Sequence, residues 1–131
     1  KRLWPNRFNG VGGHIERGED VATSARRELE EETGLAAQRL DLIGTVMVDV
    51  DRETGIALYV FRGEYGGGEL QSSEEGELCW VKQDQIADLP LVEDLYVLLP
   101  RVLAARQGDA PFSARYWYDE NEKMKVAIND R

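Results

Sequence analysis

The sequence predicts an α/β protein, and three kinds of segment carry that prediction. One amphipathic helix is expected at 20–33, segments rich in Val, Leu and Ile follow between 40 and 81, and a second amphipathic helix is expected at 93–107. An apolar repeat near 3.6 residues indicates a helix, whereas short apolar runs that end at glycine indicate strands. The chain of 131 residues is long enough for one core, so we expect a single domain over residues 1–131.

The first helix is expected to run from Asp20 to Thr33. Asp20 is a typical N-cap residue, Gly34 is typical of the position that ends a helix, and the Ala, Arg, Leu and Glu residues between them favour helix. At about 100° per residue, one stripe of this helix is apolar and should face the core. That stripe consists of Val21, Ala25 and Leu29.

Glutamates occupy the border of the apolar stripe. Glu28, Glu31 and Glu32 stand at positions i, i+3 and i+4, close enough to share one cation, whereas Glu30 points into water. Packed like charges cost stability unless a metal or a basic group such as Arg27 offsets them. Carboxylate oxygens without a His or Cys cluster indicate Mg²⁺, with Mn²⁺ as a substitute, rather than Zn²⁺. Taken alone, however, a glutamate run is usually a solvated helix face.

Strands are predicted between the two helices and after the second one. The segments 40–51 and 56–65 form a two-strand unit around the break at Asp51–Gly55, and Gly76–Val81 forms another strand. A short helix is predicted at 83–87. Pro100 should kink or break the second helix, and 113–118 with 124–128 are typical of a terminal hairpin.

Charge and cysteine content narrow the class of function. The net charge is −9, which disfavours binding to nucleic-acid polymers and anionic membranes because their phosphates would be repelled. No apolar run approaches the length of a membrane span. The single cysteine, Cys79, fits a reducing compartment, so we expect a cytoplasmic protein. The expected partner is a small molecule, and the protein is expected to be a monomer or a homodimer.

The segment from Gly13 to Leu35 resembles the Nudix box of the Nudix hydrolases. Its spacing is Gly13, five residues, Glu19, seven residues, Arg27-Glu28-Leu29, one residue, Glu31-Glu32, one residue and Gly34-Leu35, with no departure at a fixed position. The resemblance implies an α/β/α sandwich around a mixed β-sheet, with the box at one end of that sheet. It also implies a Mg²⁺-dependent hydrolase that cleaves a nucleoside diphosphate linked to another group.

The same resemblance implies one or two strands before the box. Only residues 1–12 precede it, and Trp4-Pro5-Asn6 is typical of a loop or turn. We therefore expect N-terminal strands to be missing from this chain.

Two segments outside the box are similar to the MutT-like branch, whose members hydrolyse oxidised purine nucleoside triphosphates. The run from Phe8 to Gly13 resembles the motif that opens the box in that branch, with Phe8 in place of Trp, and implies that the Asn9 amide contacts the purine. A turn in which Asn9 tolerates positive φ is the alternative. The stretch 73–80 resembles the loop in which that branch has a further metal-binding glutamate. Glu75 is the better match for this glutamate, and Glu74 is the second choice. The alternative is that these residues form a solvated acidic loop.

A third segment, Leu89 to Tyr96, resembles the part of the branch that forms the base pocket. Glu93 and Asp94 occupy its acidic positions, where a protonated carboxyl can donate to a purine O6. Leu91 stands where a stacking Trp is common. The alternative is that both acids are first-turn residues favoured by the helix dipole.

The resemblance also implies a mechanism in which water is the nucleophile. Glu28 is the first choice for the general base and Glu31 the second, while Arg27 holds either carboxylate in place and Glu19 braces the loop. Attack on the β-phosphorus of a nucleoside triphosphate gives the monophosphate and pyrophosphate. Hydrolysis of ADP-ribose, a dinucleotide or another nucleotide conjugate, and nucleotide binding without turnover, remain as alternatives. The implied metal ligands are Gly12 through its carbonyl, Glu28, Glu31, Glu32 and Glu75.

Overall fold

The computed structural model of this chain describes residues 12–72 and 76–129. Helices and strands are interspersed along this part of the chain, as an α/β class requires. In chain order the elements are α1 (Val21–Thr33), β1 (Ala36–Asp49), β2 (Gly55–Gly67), a 3₁₀ helix (Gln83–Asp88), α2 (Leu95–Ala104), β3 (Phe112–Tyr118) and β4 (Met124–Asn129).

The four strands form one mixed sheet in the order β2-β1-β3-β4. β1 and β3 are parallel, with Gly44 opposite Phe112, whereas β3 and β4 are antiparallel, with Ser113 opposite Asn129. Parallel neighbours need a long crossover, and the chain between β1 and β3 supplies it through β2, the 3₁₀ helix and α2. The predicted α/β class with a mixed sheet and the predicted terminal hairpin are confirmed.

The described residues divide into two compact units. The first unit contains the described residues up to Leu40 together with Gly63–Leu91, and it includes α1 and the 3₁₀ helix. The second unit contains Asp41–Arg62 and the described residues from Val92 onward, and it includes α2, β3 and β4. Strands β1 and β2 contribute residues to both.

In the first unit, α1 begins and ends where the sequence predicts because both of its ends are capped. Asp20 Oδ1 accepts a hydrogen bond from the Thr23 amide at 2.8 Å. Gly34 adopts φ 76°, a left-handed conformation that favours glycine, and its amide donates to the Glu30 carbonyl at 2.8 Å. These two caps set the helix length, and so decide which glutamates lie within it.

The buried face of α1 differs from the predicted stripe. Val21, Ala25 and Leu29 are only half-buried, while the fully buried residues of this helix are Ser24 and Thr33. Thr33 tolerates burial because its hydroxyl donates to the Leu29 carbonyl at 2.5 Å. The stripe was therefore wrong in part, since a hydroxyl that is satisfied within the helix can be buried as readily as an apolar side chain.

The strand predicted at Gly76–Val81 is not formed. Gly76 makes an isolated bridge, and 77–82 have no regular structure. The Leu78 amide donates to the Ser72 hydroxyl oxygen at 3.1 Å, so a side chain takes the bond that a sheet ladder would need. The short helix predicted just after this segment is confirmed as the 3₁₀ helix.

In the second unit, the break between β1 and β2 is a tight turn organised by Asp51. Asp51 Oδ1 accepts from the amides of Glu53 and Thr54, both at 2.8 Å, and the Val50 amide donates to the Thr54 carbonyl at 2.9 Å. The predicted two-strand unit is therefore confirmed, although β1 starts earlier and β2 ends later than expected.

The core of the second unit is built from α2 and the inward positions of β1 and β3. Residues alternate between buried and exposed along β3, as the two-residue period of a strand requires. The buried apolar side chains of this unit are Ile43, Val46, Val92, Leu95, Leu98, Val102, Phe112, Ala114 and Tyr116.

Helix α2 is shorter than predicted, and Pro100 does not break it. The helix continues past Pro100 to Ala104. At its carboxyl end, Arg62 Nη1 donates to the carbonyls of Val102 at 2.6 Å and Ala105 at 2.8 Å. These carbonyls belong to the last turn, which lacks intrahelical donors, so Arg62 from β2 closes the helix. Neither α2 nor any other helix in residues 12–72 and 76–129 is long and apolar enough to cross a membrane.

Candidate active site

The loop that leads into α1 is closed by hydrogen bonds between its own residues. The Glu16 amide donates to Glu19 Oε1 at 3.0 Å, and the Glu19 amide donates to the Glu16 carbonyl at 3.1 Å. Gly18, between them, adopts φ 88°, which a residue with a Cβ would adopt only under strain. The loop therefore presents Glu19 to the first turns of α1.

Arg27 joins this loop to the glutamates of α1. Its Nε and Nη2 donate to the two Glu19 oxygens at 2.6 and 3.0 Å, a bidentate pair. Its Nη1 donates to Glu28 Oε1 at 2.9 Å and to Glu31 Oε1 at 3.1 Å. Its Nη2 also donates to the His14 carbonyl at 3.1 Å. One guanidinium thus holds three carboxylates and a loop carbonyl in a fixed arrangement, which we call the Arg27 network.

Charge pairing in the Arg27 network keeps Glu19 and Arg27 ionised. Hydrogen bonds from Arg27, and then from the Glu16 amide, lower the pKa of Glu19 to about 2. The bond to Glu19, and then the bond to Glu28, raise the pKa of Arg27 above its ordinary value. Glu19 consequently remains a carboxylate through the neutral and mildly acidic range, and Arg27 remains a cation.

The Glu28 carboxylate is more confined than that of Glu31, one turn along the same helix. Only 17% of its side chain is exposed, compared with 61% for Glu31. It lies directly against the Cα of Gly13, where an added Cβ would overlap Cδ and both carboxylate oxygens. A larger residue at position 13 would therefore require the Glu28 carboxylate to move, so glycine is what allows the carboxylate to occupy this position.

Glu32 lies apart from the Arg27 network. It is half-buried, and no hydrogen bond or ion pair joins its side chain to another described residue. Glu30 is exposed on the same helix, in agreement with its predicted direction. The network thus contains Glu28 and Glu31, whereas the Glu32 carboxylate is engaged by no cation within the described part of the chain.

The described residues do not form a preassembled metal centre. No group of three or more His, Cys, Asp or Glu side chains within 12–72 and 76–129 is arranged to hold an ion. The donors themselves suit a hard cation, since Glu28, Glu31 and Glu32 offer only carboxylate oxygens. Gly12 is exposed, at the start of the described residues. Asn9, Glu74 and Glu75, which the sequence also singles out, lie outside the described residues.

The two acids predicted to read a base lie in the second unit. Glu93 is exposed and Asp94 is half-buried at the start of α2. The Asp94 side chain makes no capping hydrogen bond, although its carbonyl accepts from the Val97 and Leu98 amides at 3.1 and 3.0 Å. Burial, and then the charge of Glu93, raise the pKa of Asp94 above its ordinary value. The Asp94 carboxyl does not cap α2, but it interacts with its own backbone amide and with the Tyr116 hydroxyl, and both interactions lower its pKa against the larger effect of burial.

Sequence reasoning missed Tyr116, which lies on β3. The residue is 4% exposed, and its hydroxyl makes no hydrogen bond of acceptable geometry with a described residue. It nevertheless lies near enough to Asp94 for burial, and then the Asp94 charge, to raise its pKa. The signal in the sequence was a tyrosine at an inward position of the strand, where Phe112 and Ala114 are apolar.

Comparisons with known proteins agree with this architecture. Oxidized purine nucleoside triphosphate hydrolases from Danio rerio and Mus musculus are 31% and 30% identical to the chain over 102 residues, which are 77% of this chain and 65% of each relative. A MutT-like protein from Streptomyces ambofaciens is 33% identical over 101 residues, 76% of this chain and 61% of the relative. The chain thus spans less than two thirds of these curated relatives.

A solved structure and a family model are also similar to the chain. The crystal structure of the mutator MutT protein from Bacillus halodurans matches with a TM-score of 0.83 and 23% identity, covering 96% of this chain and 84% of the other, which shows the same fold. The NUDIX domain model matches residues 1–102. The resemblance that the spacing of 13–35 predicts is confirmed, and this chain belongs to the Nudix family.

Proposed function

We propose that this protein is a Mg²⁺-dependent hydrolase that cleaves a purine nucleoside triphosphate, oxidised purines included, into the monophosphate and pyrophosphate. The observation that carries the proposal is the Arg27 network, which fixes Glu28 and Glu31 beside a glycine loop. The names of the relatives from Danio rerio and Mus musculus support the class of substrate.

Glu28, Glu31 and Glu32 would hold the metal, with Gly12 through its carbonyl and Glu75 as further ligands. Glu32 supports this assignment because its half-buried carboxylate has no cation among its described neighbours. A bound Mg²⁺, or Mn²⁺ in its place, supplies positive charge that offsets the negative charge of the phosphates.

Glu28 is proposed as the general base. Its carboxylate is confined between Gly13 and Arg27 and is largely removed from bulk water, so it can orient a single water molecule. The proton of that water passes to a Glu28 oxygen while the water oxygen bonds to the β-phosphorus. The bond from the β-phosphorus to the oxygen that bridges to the α-phosphorus breaks, so the nucleoside monophosphate leaves and pyrophosphate carries the water oxygen. Arg27 keeps the carboxylate in position throughout, and Glu31 is the second choice for the same role.

Asp94 and Glu93 are proposed to contact the purine base, together with Asn9. Burial raises the pKa of Asp94, which favours the protonated form of the carboxyl, and a protonated carboxyl can donate to a purine O6. The Asp94 side chain makes no capping bond to α2 that would compete with that contact.

One observation favours a second candidate, the hydrolysis of ADP-ribose, a dinucleotide or another nucleotide conjugate. Leu91, which stands where the resemblance implies a stacking aromatic residue, is 4% exposed and lacks a ring. A base therefore cannot stack on this side chain as it would on an exposed Trp, and base stacking is the feature that the purine triphosphate proposal needs.

Product release with Mg²⁺ across dGTP, 8-oxo-dGTP, dATP and ADP-ribose tests both candidates. We expect turnover of a purine triphosphate to exceed that of ADP-ribose, and loss of turnover in excess EDTA. Glu28→Gln should lower kcat by at least about a hundredfold. Glu30→Gln is the matched control, because it makes the same change on the exposed face of the same helix. Preferential hydrolysis of ADP-ribose favours the second candidate, and equal activity of the two variants refutes the assignment of Glu28.

We further infer that the protein acts in the cytoplasm as a monomer or homodimer and binds no nucleic-acid polymer. The net charge of −9 supports the last point. The single domain over residues 1–131 likewise remains a proposal.

A further inference from the structure

The second unit contains a buried hydroxyl that the proposed catalytic groups do not use. Tyr116 extends from the inward face of β3, where 4% of the residue is exposed and its hydroxyl has no hydrogen-bond partner among the described residues. A buried polar group without a partner destabilises a protein, because nothing replaces the hydrogen bonds that it makes to water in the unfolded chain. A phenylalanine would fill the same space without that cost, so the hydroxyl calls for a functional explanation.

The nearest candidate partner is the carboxyl of Asp94. Asp94 is half-buried, and its side chain makes no capping bond to α2. The two groups lie close enough to interact. Burial, and then the charge and the side chain of Asp94, raise the pKa of Tyr116, while the Tyr116 hydroxyl lowers the pKa of Asp94 against the larger effect of burial. A small rotation about the side-chain bonds of Asp94 can bring its carboxyl to the hydroxyl.

The chemistry of the two groups determines which of them donates. Burial, and then the Asp94 charge, raise the pKa of Tyr116 above its ordinary value, so the phenol keeps its proton at every physiological pH. A carboxyl that keeps one proton has one oxygen that only accepts and one that donates. A phenol on one side of that carboxyl therefore favours an arrangement in which the accepting oxygen faces the phenol and the protonated oxygen faces the other way.

We propose that Tyr116 is a positioning residue for base recognition: its hydroxyl donates to one oxygen of Asp94 and thereby directs the proton on the other oxygen toward the 6-oxo group of a purine. This inference rests on the proposed role of Asp94 in binding the base. Tyr116 itself touches neither the base nor the phosphates. The hydrogen bond that its buried hydroxyl makes to Asp94 contributes to the free energy of binding the base.

The inference predicts a particular split of the kinetic constants. Tyr116→Phe removes the hydroxyl and keeps the ring, so KM for dGTP should rise roughly three- to tenfold while kcat changes less than about twofold. KM for dATP, which has no 6-oxo group to accept the proton, should change less. The melting temperature should stay level or rise, because the variant removes an unpartnered hydroxyl from the core.

Tyr118→Phe is the matched control on the same strand. It deletes the same hydroxyl from a residue that is 60% exposed, and it should leave both kinetic constants unchanged. A rise in KM for dGTP that is equal in the two variants would overturn the inference. So would a Tyr116→Phe variant whose KM for dGTP equals that of the original protein.

A double-mutant cycle with Asp94→Asn separates this inference from the function on which it rests. If Tyr116 acts through Asp94, Tyr116→Phe should have little further effect on KM in the Asp94→Asn background. Additive effects would overturn the inference. An Asp94→Asn variant with unaltered KM for dGTP would instead refute the proposed base contact itself. If KM for dGTP rises in Asp94→Asn but is unchanged in Tyr116→Phe, the base contact of Asp94 stands and only the positioning role of Tyr116 is refuted.

A measurement on the unaltered protein gives the same answer without any variant. With dGTP and Ca²⁺ in place of Mg²⁺ to slow turnover, the hydroxyl proton of Tyr116 should become protected from exchange, as followed by NMR. An exchange rate that is the same with and without dGTP would contradict the bond to Asp94.

Discussion

The carboxylate of Glu28 lies directly against the α-carbon of Gly13. A Cβ at position 13 would overlap the Glu28 carboxyl carbon and both of its oxygens, so a larger residue there would displace the carboxylate. The same carboxylate accepts a bond from Arg27 Nη1 at 2.9 Å on its other side. The position of the Glu28 carboxylate, the proposed general base, therefore depends both on the lack of a Cβ at Gly13 and on the hydrogen bond from Arg27.

Gly13→Ala is expected to displace the Glu28 carboxylate and lower kcat by about tenfold or more, because misplacing a catalytic group by a fraction of an ångström weakens proton transfer. Gly12→Ala is the steric comparison, since a Cβ there would meet no atom within 4 Å and the carbonyl is retained. Steady-state kinetics of both variants check this. Equal losses in the two would contradict the steric relationship between Gly13 and Glu28.

Glu19→Gln is expected to lower the melting temperature at pH 7, and the difference should vanish in acid. The pKa of Glu19 is about 2 in the folded protein and near 4.5 when unperturbed. A carboxyl with a lowered folded pKa stabilises the fold above its unfolded pKa, and that contribution is lost as pH falls from about 4.5 toward 2. Thermal unfolding of both proteins between pH 7 and pH 2 measures this.

Glu16→Gln is the control for that pH dependence. Glu16 is 67% exposed at its side chain and lies 3.9 Å from Arg27, so its replacement should change the melting temperature little at any pH. A Glu19→Gln difference that stays constant down to pH 2 would show that the effect comes from packing rather than from the ion pair.

Arg27→Lys is expected to lower kcat by about tenfold to a hundredfold. A lysine has one compact ammonium group and cannot bond both Glu19 oxygens while also holding Glu28 and Glu31. Arg26→Lys is the matched control on the neighbouring residue, where a single bond to the Ala37 carbonyl at 2.9 Å is within the capacity of an ammonium. Steady-state kinetics of the two variants test this prediction. Equal kcat values would show that the Arg27 network does not contribute to catalysis.

Arg62→Met is expected to destabilise the fold by about 1–3 kcal/mol, because two carbonyls at the end of α2 lose their donor. Urea unfolding should show a lower midpoint with an unchanged slope. Arg52→Met, in the exposed turn between β1 and β2, should change the midpoint little. Activity below the unfolding transition should be preserved in both variants, and a selective loss of kcat in Arg62→Met would indicate a role beyond stability.

Local sequence patterns anticipated much of the first unit. Asp20 and Gly34 bound α1 at the expected residues because N-caps and left-handed C-caps are short-range hydrogen-bonded structures. In the second unit, the turn at Asp51 was predicted for the same reason. The strand expected at Gly76–Val81 failed because a strand needs a partner, and the bond from Leu78 to Ser72 replaced the ladder.

The sequence by itself determined the helix, its caps and the spacing of its glutamates, because these depend on residues within one or two turns of each other. Only the tertiary structure decided that Arg27 grips Glu19 in the loop as well as Glu28 and Glu31 on the helix. Only it brought Tyr116 near Asp94, across more than twenty residues of chain. Contacts of that kind depend on how strands and helices pack, and one-dimensional spacing carries no information about which buried hydroxyl faces which carboxyl.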